Sequence, residues 1–323
     1  MLTALCGCAL AASQPQAQVK HRLVGYVAGW EKLATVDAGN LTAINYAFAH
    51  VVDGAVVLDQ PGASGFLARL RALKSRNPQL KLLVSVGGWG ADGFSDAALT
   101  QASRTKFAQS AADLVAQQQI DGIDLDWEYP GLAGPGIVHR DADRGNFTLL
   151  LQALRQRFNV LASEQQRSAA DPYLLTAALA DSDFVAHIEL ERIHEYLDWI
   201  DLMTYDFHNS LTRTTGHHAG LSVSATAAAG ERSVERAVGQ FLAAGVPANK
   251  LIVGVPFYGR AFADVQPKNH GLDQPYGHYD KDYPWPKLVA DFIGRNGYVR
   301  YWDDKAKVPY LWNAQTRTFV SYD

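Results

Sequence analysis

The run Asp121-Gly-Ile-Asp-Leu-Asp-Trp-Glu128 decides how this chain is read. Asp124, Asp126 and Glu128 stand at i, i+2 and i+4, with Ile123, Leu125 and Trp127 beside them. On a strand, alternate side chains share a face. The three carboxyls therefore point one way and the three apolar side chains the other. A surface strand would waste the apolar set, so the spacing predicts a buried strand. In a parallel barrel the apolar face packs on the surrounding helices, and the acidic face lines the interior and climbs toward the C-terminal mouth. Glu128 is then highest, Asp126 next and Asp124 deepest.

Carboxyls stepped about 7 Å apart along a buried strand cannot all stay ionised. Desolvation and mutual repulsion raise their pKa values, and at least one proton is shared. Such a stack keeps a glutamic acid protonated for general acid work. Two other readings fit clustered acids. One is a metal site, although an EF-hand spreads its acids over twelve residues around a glycine, and that spacing is absent. The other is the Asp124-Leu-Asp126 pattern of metal-dependent sugar transferases.

Outward from this run, short apolar strands alternate with helical patterns. Strands are predicted at Arg22–Val27, Ala43–Ala49, Lys81–Gly87, Gly122–Trp127, Tyr173–Ala178, Trp199–Thr204 and Lys250–Pro256. Helices are predicted at 62–75, 105–118, around Phe147–Phe158 and at 233–244 by their apolar spacing. Seven alternations predict a parallel sheet with helices outside. No Gly-rich dinucleotide turn follows the first strand, so a closed α/β barrel of the TIM (β/α)8 type fits better than a doubly wound sheet.

The rhythm breaks after Arg260. Residues 261–323 hold 13 of the 34 aromatic residues and read as a small α+β insertion. These rings suit either the insertion's own core or the apolar faces of sugars. The domain reading is thus a leader and linker at 1–20, a barrel at 21–260 and the insertion at 261–323.

The chain has 323 residues, 48% hydrophobic and 19% charged, with a net charge of -4. That balance points away from nucleic acid or an anionic membrane as partner. No apolar run reaches the length of a membrane span. Both cysteines, Cys6 and Cys8, lie in an apolar leader, Leu2–Ala12, that reads as an export signal, and Leu5-Cys-Gly-Cys8 resembles a lipoprotein cleavage box. The rest of the chain has no cysteine and no spaced histidine motif, so no metal or cofactor is expected.

The run Asp121–Glu128 also resembles the DxxDxDxE signature of family 18 glycoside hydrolases, the chitinases. Further stretches resemble that family in order. They are Gly25-Tyr-Val, Ile44-Asn-Tyr-Ala-Phe48, Ser85-Val-Gly-Gly88-Trp89, Asn146-Phe-Thr-Leu-Leu, Met203-Thr-Tyr205-Asp206-Phe-His and Gly254-Val-Pro-Phe-Tyr258-Gly-Arg260. The resemblance implies a TIM barrel and substrate-assisted, retaining hydrolysis of chitin or N-acetylglucosamine oligosaccharides by a secreted monomer. It implies Glu128 as general acid, Asp126 on the substrate acetamide N–H, Asp124 sharing a proton with Asp126, and Tyr205 orienting the acetamide oxygen. Tyr26, Phe48, Gly88, Trp89, Tyr129, Met203, Asp206, Tyr258 and Arg260 are the implied substrate-binding residues. Ser85 and the neighbouring glycines are expected to give backbone room beside the acids, and His208 and His217 to stand behind the site.

In the family, the segment resembling Phe319–Asp323 leads on to an eighth strand whose Trp floors the reacting subsite. The sequence ends at Asp323, so the expectation is a barrel truncated after strand seven, with Thr316–Tyr322 as an alternative filler beside Leu23–Val27. An endo-β-N-acetylglucosaminidase and a non-catalytic lectin-like relative are the alternatives in function. The presence of Glu128 weighs against the lectin.

Overall fold

The computed structural model describes residues 21–30 and 36–322. The leader read at 1–20 lies outside the described residues. In chain order the first unit contains β1 (Val24–Ala28), β2 (Ala43–Val52), β3 (Ala55–Val57), α1 (Ala63–Ala72), β4 (Lys81–Gly87), α2 (Phe94–Leu99), α3 (Gln101–Gln118), β5 (Gly122–Asp126), α4 (Asp143–Glu164), β6 (Leu174–Leu179), α5 (Leu190–Ile193), β7 (Trp199–Leu202), α6 (Val234–Ala243) and β8 (Leu251–Val253). The second contains β9 (Tyr258–Ala263), β10 (His278–Pro284), α7 (Trp285–Asp291), β11 (Val299–Asp303), β12 (Val308–Asn313) and β13 (Thr318–Ser321).

Seven strands pair in parallel in the order β1-β2-β4-β5-β6-β7-β8, with β3 as a short hairpin partner of β2. The sheet curls. The Arg22 guanidinium, just before β1, donates to the Asn249 carbonyl, just before β8, at 2.8 Å. Tyr26 on β1 and Asn45 on β2 reach Asp201 on β7 across the interior. The chain thus forms a barrel-type sheet of seven parallel strands, with β1 and β8 as its two edges.

The alternation read from the acidic run sets the packing. Ile123, Leu125 and Trp127 are buried in the main core with the faces of α2, α3 and α4. The Trp127 ring stacks on Phe94 with centroids 5.3 Å apart and meets Phe147 edge-on at 5.7 Å. Each such ring contributes roughly 1.5–3 kcal/mol by leaving water. Asp121, which opens the run, is a brace. Its Oδ2 accepts from the Leu82 amide at 2.7 Å and from Lys74, tying β5 to the start of β4.

Some boundaries differ from the sequence reading. The helix expected from Thr105 begins at Gln101 because Thr100 caps it. Thr100 Oγ1 accepts from the Ser103 amide at 3.1 Å, and Ser103 Oγ accepts from the Thr100 amide at 2.9 Å. The seventh strand is only three residues long. Among the described residues it pairs with β7 alone, and Val255 and Phe257 beyond it are exposed. The boundary expected after Arg260 falls inside β9, whose Gly259 and Ala261 are already buried in the second sheet.

That second sheet is antiparallel, in the order β10-β9-β13-β12-β11. Thr318–Ser321 pairs with β12 and β9, so it does not fill the place beside β1. Most of the aromatic-rich segment builds two small cores, one around Leu288, Leu311 and Tyr322 and one around Phe262, Tyr310, Trp312 and Phe319. Trp285 and Trp302 remain exposed.

Candidate active site

Register explains the surroundings of the deepest acid. Asp124 on β5 stands opposite Ser85 on β4 and Thr176 on β6. Ser85 Oγ donates to Asp124 Oδ2 and Thr176 Oγ1 to Oδ1, each at 2.7 Å, and the Tyr26 hydroxyl adds a third bond to Oδ2 at 2.9 Å. Ser85 is therefore a hydrogen-bond donor to the stack and not only a spacer. Burial raises the Asp124 carboxyl pKa, and these three bonds pull it partway back.

Asp126 has no such relief. Burial and the charges of Glu128, Asp124 and Asp201 push its carboxyl well above the usual range. Its Oδ1 is buried without a hydrogen-bond partner among the described residues. The backbone leaves room for this crowding. Gly87 stands opposite Asp126 with φ 120°, and a Cβ there would lie 2.0 Å from the Asp126 carbonyl oxygen. The next amide, of Gly88, donates to that oxygen at 2.9 Å.

Glu128 lies two residues beyond the end of β5, close enough for its charge to act on Asp126, and is almost fully buried. Burial raises its carboxyl to about 7, with a Tyr129 hydrogen bond opposing and the Asp206 charge adding. A carboxyl at that value exchanges its proton near neutral pH.

A second arm comes from the residues after β7. Asp206 sits in the left-handed backbone region at φ 58°, a strained position for a residue other than glycine. Its Oδ1 accepts from the Tyr258 hydroxyl at 2.7 Å and from Arg260 Nε at 2.6 Å. Burial would raise this carboxyl, but the hydrogen bonds from Arg260 and Tyr258, the guanidinium charge and the nearby His218 ring hold it well below the usual range. Arg260 Nη1 reaches on to the Tyr279 hydroxyl at 2.9 Å and Asp282 at 3.1 Å. Between the arms stands Tyr205, whose hydroxyl is held protonated by burial and by Asp126, Asp206 and Glu128.

The rim is aromatic. Trp89 is 61% exposed, and its ring meets Tyr129 edge-on at 6.3 Å, while Tyr129 lies 4.2 Å from Phe184. Phe48 packs where a Gly88 side chain would be. A cleft of about 720 Å³ runs from Trp30 past Phe48 and His50 to Trp89, beside the carboxyl stack and without Glu128 in its wall. Met203 lies half-buried at the end of β7. His208 pairs with Glu231 at 2.7 Å and His217 with Asp303 at 3.0 Å, away from the acids. Among the described residues no three His, Cys, Asp or Glu side chains group to hold a metal.

The family model described as glycosyl hydrolases family 18 matches residues 22–323. The chain belongs to glycosyl hydrolase family 18. It is 35% identical to Chitinase A1 of Niallia circulans over 98% of this chain and 54% of that protein, and 35% identical to Chitotriosidase-1 of Mus musculus over 94% and 67%. It therefore spans about half the length of the Niallia relative. Among solved structures, a family 18 N-acetylglucosaminidase from Paenibacillus barengoltzii matches with a TM-score of 0.86 and 39% identity, over 94% of this chain and 88% of that one.

Within this family 18 chain, sequence reasoning missed Asp201, Asn45, Trp30, Phe184 and His218. Asp201 was open to the argument used on β5. Asp201, Met203 and Tyr205 also stand at i, i+2 and i+4, so an acid in an apolar strand shares a face with two predicted site residues. His218 carried no signal, since only the fold brings its ring to 3.5 Å from Asp206.

Proposed function

We propose that this chain hydrolyses β-1,4-linked N-acetylglucosamine in chitin or its oligosaccharides, by a substrate-assisted, retaining route with Glu128 as general acid. The observation that carries the reading is Glu128, buried just past the end of β5 beside Asp126, with its carboxyl raised by burial to about 7. Family membership, and relatives named as chitinases, support the substrate class.

The chemistry follows from the residues. Glu128 donates its proton to the glycosidic oxygen as the C–O bond breaks. The substrate's acetamide oxygen attacks the anomeric carbon and closes an oxazolinium ring, the family 18 alternative to an enzyme nucleophile. Asp126 accepts the acetamide N–H and, sharing its proton with the ionised Glu128, helps to balance the positive charge on that ring. The Tyr205 hydroxyl, which stays protonated, donates to the acetamide oxygen and aims it. Glu128, now ionised, takes a proton from water, and the hydroxide opens the ring with net retention. Asp206, fixed in its ionised form by Arg260 and Tyr258, orients the sugar from the other side. Trp89 offers a flat face to a neighbouring sugar. A polymeric substrate outside the cell suits the export signal read in Leu2–Ala12.

The similarity to a solved N-acetylglucosaminidase favours a second reading, release of single N-acetylglucosamine units. Product analysis on a chito-hexamer separates the two. The core assignment is tested by Glu128→Gln on a chromogenic chitobioside. The expected loss in kcat is about 10²-fold or more, and unchanged turnover would refute the assignment.

A further inference from the structure

The Tyr26 hydroxyl stands between two carboxyls. It is 2.9 Å from Asp124 Oδ2 and 3.3 Å from Asp201 Oδ2. A phenol has one proton to donate. If both carboxyls were ionised, one of these contacts would set lone pair against lone pair. A proton on one of the acids, donated to the tyrosine oxygen, removes that conflict. We propose that Asp201 is that acid, and that it serves as a proton partner of the Asp124–Asp126 pair, acting through Tyr26. The inference rests on the reading that this pair works in hydrolysis.

The surroundings of Asp201 favour a protonated acid. The side chain is buried on β7 inside the curled sheet. It faces Tyr26 from β1, Asn45 from β2 and Asp124 from β5, with the Trp199 indole at 3.1 Å on its own strand and Tyr205 just beyond. Its register partners, Ala178 on β6 and Ile252 on β8, carry no charge. Arg22 lies on the ring of Trp199, and no cation among the described residues pairs with Asp201 itself. Burial and the Asp124 charge both push the carboxyl upward. The Asn45 amide nitrogen is 3.5 Å away, and its Oδ1 is buried with no donor among the described residues.

The transfer balances. When Asp126 turns toward the substrate and takes the shared proton with it, Asp124 is left ionised. The Tyr26 proton then passes to Asp124 while the Asp201 proton passes to the Tyr26 oxygen. Tyr26 is unchanged, and one negative charge has moved from Asp124 to Asp201, away from Asp126. The reverse shift restores the stack after ring opening. Asp201 acts through Tyr26, so it is a positioning residue.

The test is the pH profile of kcat for wild type, Asp201→Asn, Tyr26→Phe and the double variant on a chitobioside. Asparagine keeps the shape but never ionises. On the basic limb Asp201 loses its own proton in the wild type, so in the asparagine variant the remaining carboxyls no longer face that charge, and the basic limb moves to lower pH by about half a unit or more. The expected result is that shift, a fall in kcat of about tenfold and a KM within about twofold. In the Tyr26→Phe background Asp201→Asn should cost less than about twofold, because the relay is already cut. An unmoved basic limb, or effects that multiply in the double variant, would overturn the proposal. Infrared spectra give a readout independent of turnover. One protonated-carboxyl band should vanish in Asp201→Asn, and an unchanged band count also overturns it. If Glu128→Gln abolishes turnover and Asp201→Asn changes nothing, only this inference fails. If Glu128→Gln stays active, the hydrolytic reading fails first.

Discussion

Arg260 joins the two sheets at a single carboxylate oxygen. Its Nε donates to Asp206 Oδ1 at 2.6 Å, while Nη1 of the same guanidinium holds Tyr279 and Asp282 of the second sheet. A planar fork makes both reaches at once, and a lysine ammonium does not. Arg260→Lys should therefore lower kcat/KM by about 10–100-fold. It should also let the Asp206 carboxyl rise toward the ordinary range. Asp206 is depressed in the folded chain, so its ionised form is the working one and is lost as pH falls. The acid limb of the activity profile should move to higher pH. Steady-state kinetics through the acid range check this, and an unmoved limb counts against the Asp206–Arg260 assignment.

Glu128 has the opposite sign. Its carboxyl moves from 4.5 to about 7 on burial. The folded state thus binds this proton more tightly than the unfolded one, and the contribution is fully present below the unfolded value. It fades as pH rises to about 7, by ~1.4 kcal/mol per unit and about 3 kcal/mol in all. Glu128→Gln removes that cost. The variant should unfold at higher denaturant than wild type above neutrality, and the gap should close at acid pH. Urea melts at two pH values measure it, and a gap independent of pH would show that Glu128 is not held as described.

Gly87→Ala tests the backbone beneath the acids. The new Cβ would sit 2.0 Å from the Asp126 carbonyl oxygen, at a φ of 120°. Both the clash and the conformation are costly. We expect a loss of about 3 kcal/mol or more, with activity falling further because Asp126 must move. Thermal unfolding decides, and a midpoint equal to wild type would contradict the close approach.

Trp89→Ala probes the rim. The ring is mostly exposed, so stability should change by less than about 0.5 kcal/mol. KM for a long oligosaccharide should rise about fivefold, with kcat within about twofold, as expected for a residue that binds substrate and transition state equally. A fall in kcat with KM unchanged would place Trp89 in the chemistry instead.

Much of this was legible along the chain because strand periodicity is local. Lys81–Gly87 forms the predicted strand to the residue. Asp124 and Asp126 line the interior while Ile123, Leu125 and Trp127 pack outward, since a period of two admits no other division. Strand ends were less legible. The seventh strand keeps only Leu251–Val253 of the run Lys250–Pro256. The aromatic-rich tail stated its composition and not its purpose, because ring packing within a core and ring exposure to a sugar use the same residues.

The sequence by itself determined the order of strands and helices, the one-sided stack of Asp124, Asp126 and Glu128, and, through its ordered motifs, the resemblance to family 18. Each of these depends on neighbours a few residues apart. Only the tertiary structure decided who stands across the interior. Tyr26 meets Asp201 at a separation of 175 residues, and Tyr258 meets Asp206 at 52. Such pairs depend on how far the sheet curls and where a second sheet docks, and no local period encodes either. The surroundings of the buried acids follow from those contacts, so the chain supplies the carboxyls and the fold sets what stands around them.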